Sequence, residues 1–230
     1  MRVLVLFLSC VVLLALVLTL VGADSPQRRP LDLPSGGGAD GPTDDEDIPE
    51  SIQFYGRIYE GDAFMFVVDF SGSMGRADGD KWNDLLHELV KAIDELSSEA
   101  ELGLLAFSDR IEIWNPEMIA AGLNACTSAK EFLGQLVPGG TTCISTGVVA
   151  GLKILRTSTL DIDSRRLILI GDGAHYCQGQ SDSEPVEQDI HHGNWDRHHI
   201  DTIFLGSWQK GIDLFTHIAL QNRGQFRIVQ

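Results

Sequence analysis

Basic residues are scarce. Against 33 Asp and Glu the 230-residue chain has only 17 Lys and Arg, a formal net charge of −16. No Lys/Arg cluster is interleaved with aromatics, so the electrostatic footprint of a nucleic-acid binder is missing. Such an acidic surface also repels anionic lipid headgroups and is compatible with divalent cations and basic protein partners. Two catalytic signatures are absent as well. No Gly-x-Ser-x-Gly elbow presents a serine nucleophile, and no Walker-type loop cradles a phosphate. Catalysis is therefore not expected. Cysteine is sparse, at four, and Cys10 lies inside an apolar leader. An odd number, Cys126, Cys143 and Cys177, remains for the rest of the chain.

One long apolar run exists, from Val3 to Val21 behind Arg2. Its 19 residues fall between a signal-peptide core of roughly 7–15 and a membrane-spanning helix of roughly 17–25. Residues 1–23 are thus read as a signal peptide or an N-terminal membrane anchor, with Val21-Gly22-Ala23 as a cleavage signal before Asp24. Either reading puts the remainder outside the cytoplasm, secreted or membrane-anchored. Residues 24–50 hold Pro26, Pro30, Pro34, Gly36-Gly37-Gly38, Pro42 and the acidic run Asp44-Asp45-Glu46-Asp47. This composition cannot fill a core and reads as a solvated spacer. The folded domain is expected over 51–230.

Within that domain the most informative stretch is Phe64-Met65-Phe66-Val67-Val68-Asp69-Phe70-Ser71-Gly72-Ser73. A short run, apolar on both faces, predicts a buried central strand. It stops at a carboxylate, and two hydroxyls follow at alternate positions. In open α/β sheets the carboxyl edge of the strands is where ligands bind. Carboxylate and hydroxyl oxygens are hard donors, suited to Mg²⁺, Mn²⁺ or Ca²⁺.

The following elements alternate. Residues 52–59 suggest a lead-in strand or hook. Trp82, Leu85, Leu86, Leu89, Val90, Ile93 and Leu96 form one helical stripe over 81–98, with Asp78 or Asp80 as cap. A strand at 102–107 turns at Ser108-Asp109 into an antiparallel edge strand at 111–114. Helices are expected around 128–137, over 144–156, near 184–191 and over 211–222, the last capped by Gly224. Strands are expected at 165–171, 200–206 and 225–229. The pattern implies a doubly wound α/β fold: a mostly parallel six-stranded sheet with one antiparallel edge strand and helices on both faces.

Asp69-x-Ser71-x-Ser73 after a buried strand, Gly139-Gly140-Thr141 before a helix, and Asp172-Gly173 after a second apolar strand come in a telling order. Together they resemble the von Willebrand factor type A (VWA) domain with its metal-ion-dependent adhesion site, over about 62–229. The resemblance implies a Rossmann-like sheet of order 3-2-1-4-5-6. It implies a divalent cation, Mg²⁺ before Mn²⁺ or Ca²⁺, held by Asp69, Ser71, Ser73, Thr141 and Asp172, with Thr142 in a supporting role only. The serines and threonine would contact the ion directly or through water, and the aspartates would orient waters and hydroxyls. A protein partner would then donate an Asp or Glu carboxylate. The alternative is a metal-independent structural or accessory domain of a larger assembly. Two departures stand out. Gly171 replaces the threonine of the family's Thr-Asp-Gly, and no helix follows the last strand, so integrin-like switching is not expected.

Cys143 and Cys177 fall on the loops of this site and are expected to pair, which would brace them; a Cys126–Cys143 bridge is the other pairing. The histidines of 175–199 are expected to lie in a solvated loop, the alternative being a second, softer metal site at His191-His192 and His198-His199.

Overall fold

Strand β3 (Ala63–Asp69) lies in the middle of the sheet because its first six residues are apolar on both faces. All seven residues are buried, including the terminal aspartate. Successive side chains point to opposite faces, so β3 serves two cores at once. Phe64, Phe66 and Val68 join the core beneath helices α1 (Lys81–Glu95) and α2 (Leu123–Gln135). Met65 and Val67 join the core beneath α3 (Ile144–Leu155), α4 (Ser183–Gly193) and α5 (Gln209–Gln221). The computed structural model describes residues 49–75 and 81–230. The expected leader or anchor over 1–23, nearly all of the spacer over 24–50, and the capping Asp78 and Asp80 lie outside the described residues.

The other strands are β1 (Ser51–Phe54), β2 (Arg57–Glu60), β4 (Glu101–Phe107), β5 (Ile111–Ile113), β6 (Ile119–Ala120), β7 (Arg165–Gly171), β8 (His199–Leu205) and β9 (Phe226–Val229). β1 and β2 form a separate antiparallel hairpin, turning at Tyr55-Gly56 with both residues at positive φ. The main sheet runs β5-β4-β3-β7-β8-β9, and β6 pairs with β4 beyond this path. β3 pairs in parallel with β4 and β7, Phe66 standing opposite Leu104 and Ile168. Parallel pairing continues through β8 to β9, while β5 and β6 are both antiparallel to β4. The sheet is thus the expected mostly parallel, doubly wound α/β type. Its antiparallel edge holds two short pieces rather than one, because β6 is only two residues long and carries no periodicity of its own.

Helix α2 starts at Leu123, five residues before its expected start. Its buried stripe is Cys126, Ala129 and Leu133, small residues that give little apolar signal, while Leu123 itself is exposed. α3 lies close against the sheet because two glycines face it. A Cβ on Gly147 would stand 2.5 Å from Phe107 Cγ, and one on Gly151 2.5 Å from Val67 Cγ2. Among the described residues, no helix is long and apolar enough to cross a membrane.

Candidate functional site

Three loops leave the carboxyl edge of the sheet and are zipped together by their backbones. The loop after β3 donates Gly72 N–H to Gly140 O and receives Gly139 N–H at Phe70 O, at 3.1 and 2.8 Å. The loop before α3 exchanges two 3.0 Å bonds between Thr142 and Tyr176 of the loop after β7. Cys143, buried at the start of α3, is joined to Cys177 by a disulfide with Cα atoms 4.8 Å apart. Cys126 keeps a free, buried thiol. Gly140 has φ +84°, and a side chain there would collide with the Asp109 carboxylate.

These loops bring four of the five expected site residues into one hydrogen-bonded cluster. Ser71 N–H donates to Asp69 Oδ1 at 2.8 Å, which is an Asx turn within the loop. Ser71 Oγ and Ser73 Oγ lie 3.1 Å apart, and Ser73 Oγ donates to Asp172 Oδ1 at 2.6 Å. The threonine loop is present too, and Thr142 has its hydroxyl beside the cluster. A Cβ built on Gly173 would lie 3.5 Å from Thr142 Oγ1 and 3.9 Å from Ser73 Oγ. Thr142 is buried, whereas Thr141 is half-exposed. The cause is the bridge to Tyr176, since neighbours along an extended segment face opposite sides.

Asp69 is fully buried, and its Oδ2 has no hydrogen-bond partner. Burial pushes its carboxyl up to about 7, against the Ser71 N–H, which holds it down. The substitution of Gly171 for threonine bears on this atom. A Cβ at 171 would stand 3.0 Å from Asp69 Oδ2, so the missing side chain is one that would have faced the orphan oxygen. An orphaned buried carboxylate oxygen beside three hydroxyls and a second carboxylate is a donor set that fits a hard dication.

One participant was not expected from the sequence. Lys81, the first residue of α1, places Nζ 2.6 Å from Asp172 Oδ2. Its signal was a cation at the positive end of a helix, a costly place without a carboxylate nearby.

The His-rich segment contains the helix expected near 184–191, as α4, but its histidines are not all solvated, since His175 and His198 are buried. His198 is fully buried with Nε2 3.0 Å from Asp196 Oδ2, out of line for a hydrogen bond, and burial lowers its pKa. His199 Nδ1 instead meets Arg223 O at 2.9 Å. Among the described residues, no three His, Cys, Asp or Glu side chains gather as a metal cluster.

A parallel sheet whose carboxyl edge carries zipped hydroxyl and carboxylate loops defines a Rossmann-like ligand domain. The family model for the von Willebrand factor type A domain matches residues 64–175, which contain Asp69, Ser71, Ser73, Lys81, Thr141, Thr142 and Asp172. The chain thus carries a von Willebrand factor type A domain over those residues, a domain of the protein-interaction and adhesion type. Among curated relatives it is 22% identical over 164 residues to inter-alpha-trypsin inhibitor heavy chain H2 of Mesocricetus auratus. It is 23% identical over 167 residues to heavy chain H4 of Homo sapiens. These matches cover 70% and 71% of this chain but only 17% and 18% of the relatives. Among solved structures, a von Willebrand factor type A protein from Catenulispora acidiphila superposes with a TM-score of 0.64 at 20% identity, covering 75% of this chain and 40% of that one. Proximal thread matrix protein 1 from the mussel byssus, described with a zinc-occupied MIDAS motif, gives 0.54 at 16%, covering 73% and 43%.

Proposed function

We propose that this domain binds a protein partner outside the cytoplasm through a divalent cation held at the edge of β3 and β7. The carrying observation is the orphan Oδ2 of buried Asp69 beside the Ser71–Ser73–Asp172 chain. Asp69, Ser71, Ser73 and Asp172 would hold the ion, with Thr142 in the threonine role first expected of Thr141. Bound there, the dication supplies an electrophilic position for an outside anion. Neutral hydroxyls as direct donors leave most of its charge available, and the two aspartates orient hydroxyls and waters around it. The group best suited to that position is an Asp or Glu carboxylate of a protein partner. Mg²⁺ is the first choice of ion on donor hardness, with Mn²⁺ and Ca²⁺ next. The zinc of the byssus protein supports the cation class and not a particular metal. The reading is non-catalytic, and residues 1–23 serve as leader or membrane anchor with 24–50 as tether.

A second reading is favoured by one observation. Lys81 already neutralises Asp172 without any metal, as suits a structural domain of a larger assembly. Calorimetric titration of Mg²⁺ and Mn²⁺ into the full-length chain, beside Asp69→Ala and Thr142→Val, separates the two. Saturable binding in the parent that both variants lose is expected. A parent that takes up no dication, alone or with a carboxylate peptide present, supports the structural reading instead.

A further inference from the structure

Both carboxylate oxygens of Asp172 are engaged. Oδ1 accepts from Ser73 Oγ, and Oδ2 accepts from the Lys81 ammonium, each at 2.6 Å. The partners differ in exposure. The Asp172 side chain is 1% exposed, and that of Lys81 is 36% exposed. A buried carboxylate is therefore capped by a cation about one third exposed to water.

Resting on the metal-binding reading, we propose that Lys81 is a built-in counter-cation that holds Asp172 in the metal-free chain, weakens intrinsic dication affinity, and couples loading to the arrival of an anionic partner group. The charges make the case. Asp69 and Asp172 bring two formal negative charges, and Lys81 brings one positive charge. A dication beside all three leaves the site with one net positive charge, whereas without Lys81 the site is neutral. The loaded site with lysine is thus completed by an outside carboxylate, and the same carboxylate makes loading more favourable, since such coupling is reciprocal.

Lys81 also has somewhere to go. Its side chain lines a neighbouring cavity of about 450 Å³ together with Tyr55, Asp84 and Glu88. Asp84 and Glu88 stand three and seven residues along α1, on the same helix face. A rotation of the lysine from Asp172 toward Asp84 exchanges one carboxylate for another, so releasing Asp172 to the site does not strand the ammonium.

The test uses the full-length parent with Lys81→Met and Lys81→Arg. Mn²⁺ and Mg²⁺ are titrated into each by calorimetry, with and without excess acetate as the carboxylate probe. Lys81→Met is expected to bind the dication about tenfold more tightly than the parent, and Lys81→Arg to stay close to it. Acetate is expected to tighten metal binding to the parent and to Lys81→Arg, and to do so far less for Lys81→Met. Thermal melting gives a readout independent of partner binding. Without metal, Lys81→Met should melt below the parent, because buried Asp172 has lost its counter-charge, and saturating Mg²⁺ should raise its Tm by more than the parent's. If Lys81→Met does not fold without metal, Lys81→Gln takes its place. Parent binding with equal or weaker binding in the folded Met or Gln variant overturns the role of Lys81 and leaves the metal site standing. Absence of dication binding in the parent and all folded variants overturns both.

Discussion

Asp69→Asn changes one oxygen of the site to an amide and should alter stability and metal binding in opposite directions. The native state holds the Asp69 carboxyl at about 7, against an ordinary value of 3.8, chiefly through burial. Between those two values the native chain binds a proton that the unfolded chain has released. Its stabilising contribution is complete below 3.8 and is lost as pH rises through 7. A shift of about three units corresponds to about 4 kcal/mol at ~1.4 kcal/mol per unit. Local relaxation of a carboxylate this close to Asp172 brings the expected figure to about 2–4 kcal/mol. Asparagine keeps an acceptor for the Ser71 N–H and does not titrate. In EDTA at about pH 8, Asp69→Asn should thus be more stable than the parent by that amount, and near pH 4 the two should agree. Urea unfolding across this range, followed by circular dichroism, measures it. The difference profile is the quantity to read. Buried His175 and His198, both with lowered pKa values, contribute stability that grows as pH rises toward 6.5, but they do so in both proteins. A flat difference profile, or an Asn variant less stable at pH 8, would refute the argument from desolvation. The same variant should bind no dication, the outcome expected if this destabilising carboxylate serves a ligand and not the fold.

Other consequences follow from the loops and the core. Removing the Cys143–Cys177 bridge, which spans 34 residues, should lower unfolding free energy by up to about 4 kcal/mol on loop entropy; an unchanged urea midpoint in the double-serine variant would contradict it. Thr142→Val should weaken dication binding by at least about tenfold, through loss of one oxygen donor. Thr141→Val should leave it nearly unchanged, and calorimetry giving the reverse order would return the role to Thr141. Gly147→Ala forces a methyl to within 2.5 Å of the Phe107 ring and should cost about 1–3 kcal/mol, read as a fall in Tm with metal affinity little changed.

Much of the fold was readable because its signals are long and redundant. β3 is an apolar run ending in Asp69, β7 carries the apolar run Leu167–Ile170 just before Asp172, and α1 repeats its stripe over four turns. Where the signal was short or small, reading failed. β6 has two residues, and α2 buries Cys126 and Ala129, small side chains that mark a stripe less clearly than Leu or Ile. The histidines misled for a different cause. His198 is a polar residue in a polar stretch, and only the fold shows that the approach to β8 carries it beneath Asn194 and Asp196 into complete burial.

The site divides along the same line. Asp69, Ser71, Ser73 and Asp172 sit at fixed offsets from strand ends, so strand prediction alone carries them to the sheet edge. Thr142 and Lys81 are placed by contacts between elements far apart in sequence. A single backbone bridge to Tyr176 decides which of two adjacent threonines turns inward, and no local pattern encodes a bridge across 34 residues. Lys81 was detectable only as an anomaly, a cation at the wrong end of a helix, and its explanation lies 91 residues further on. Local misfits of this kind, a buried acid with one orphan oxygen at Asp69 and a misplaced base at Lys81, converge on Asp172 and its neighbours. Neither helps the chain fold as a simple core would, and both make sense where charge must be admitted from outside.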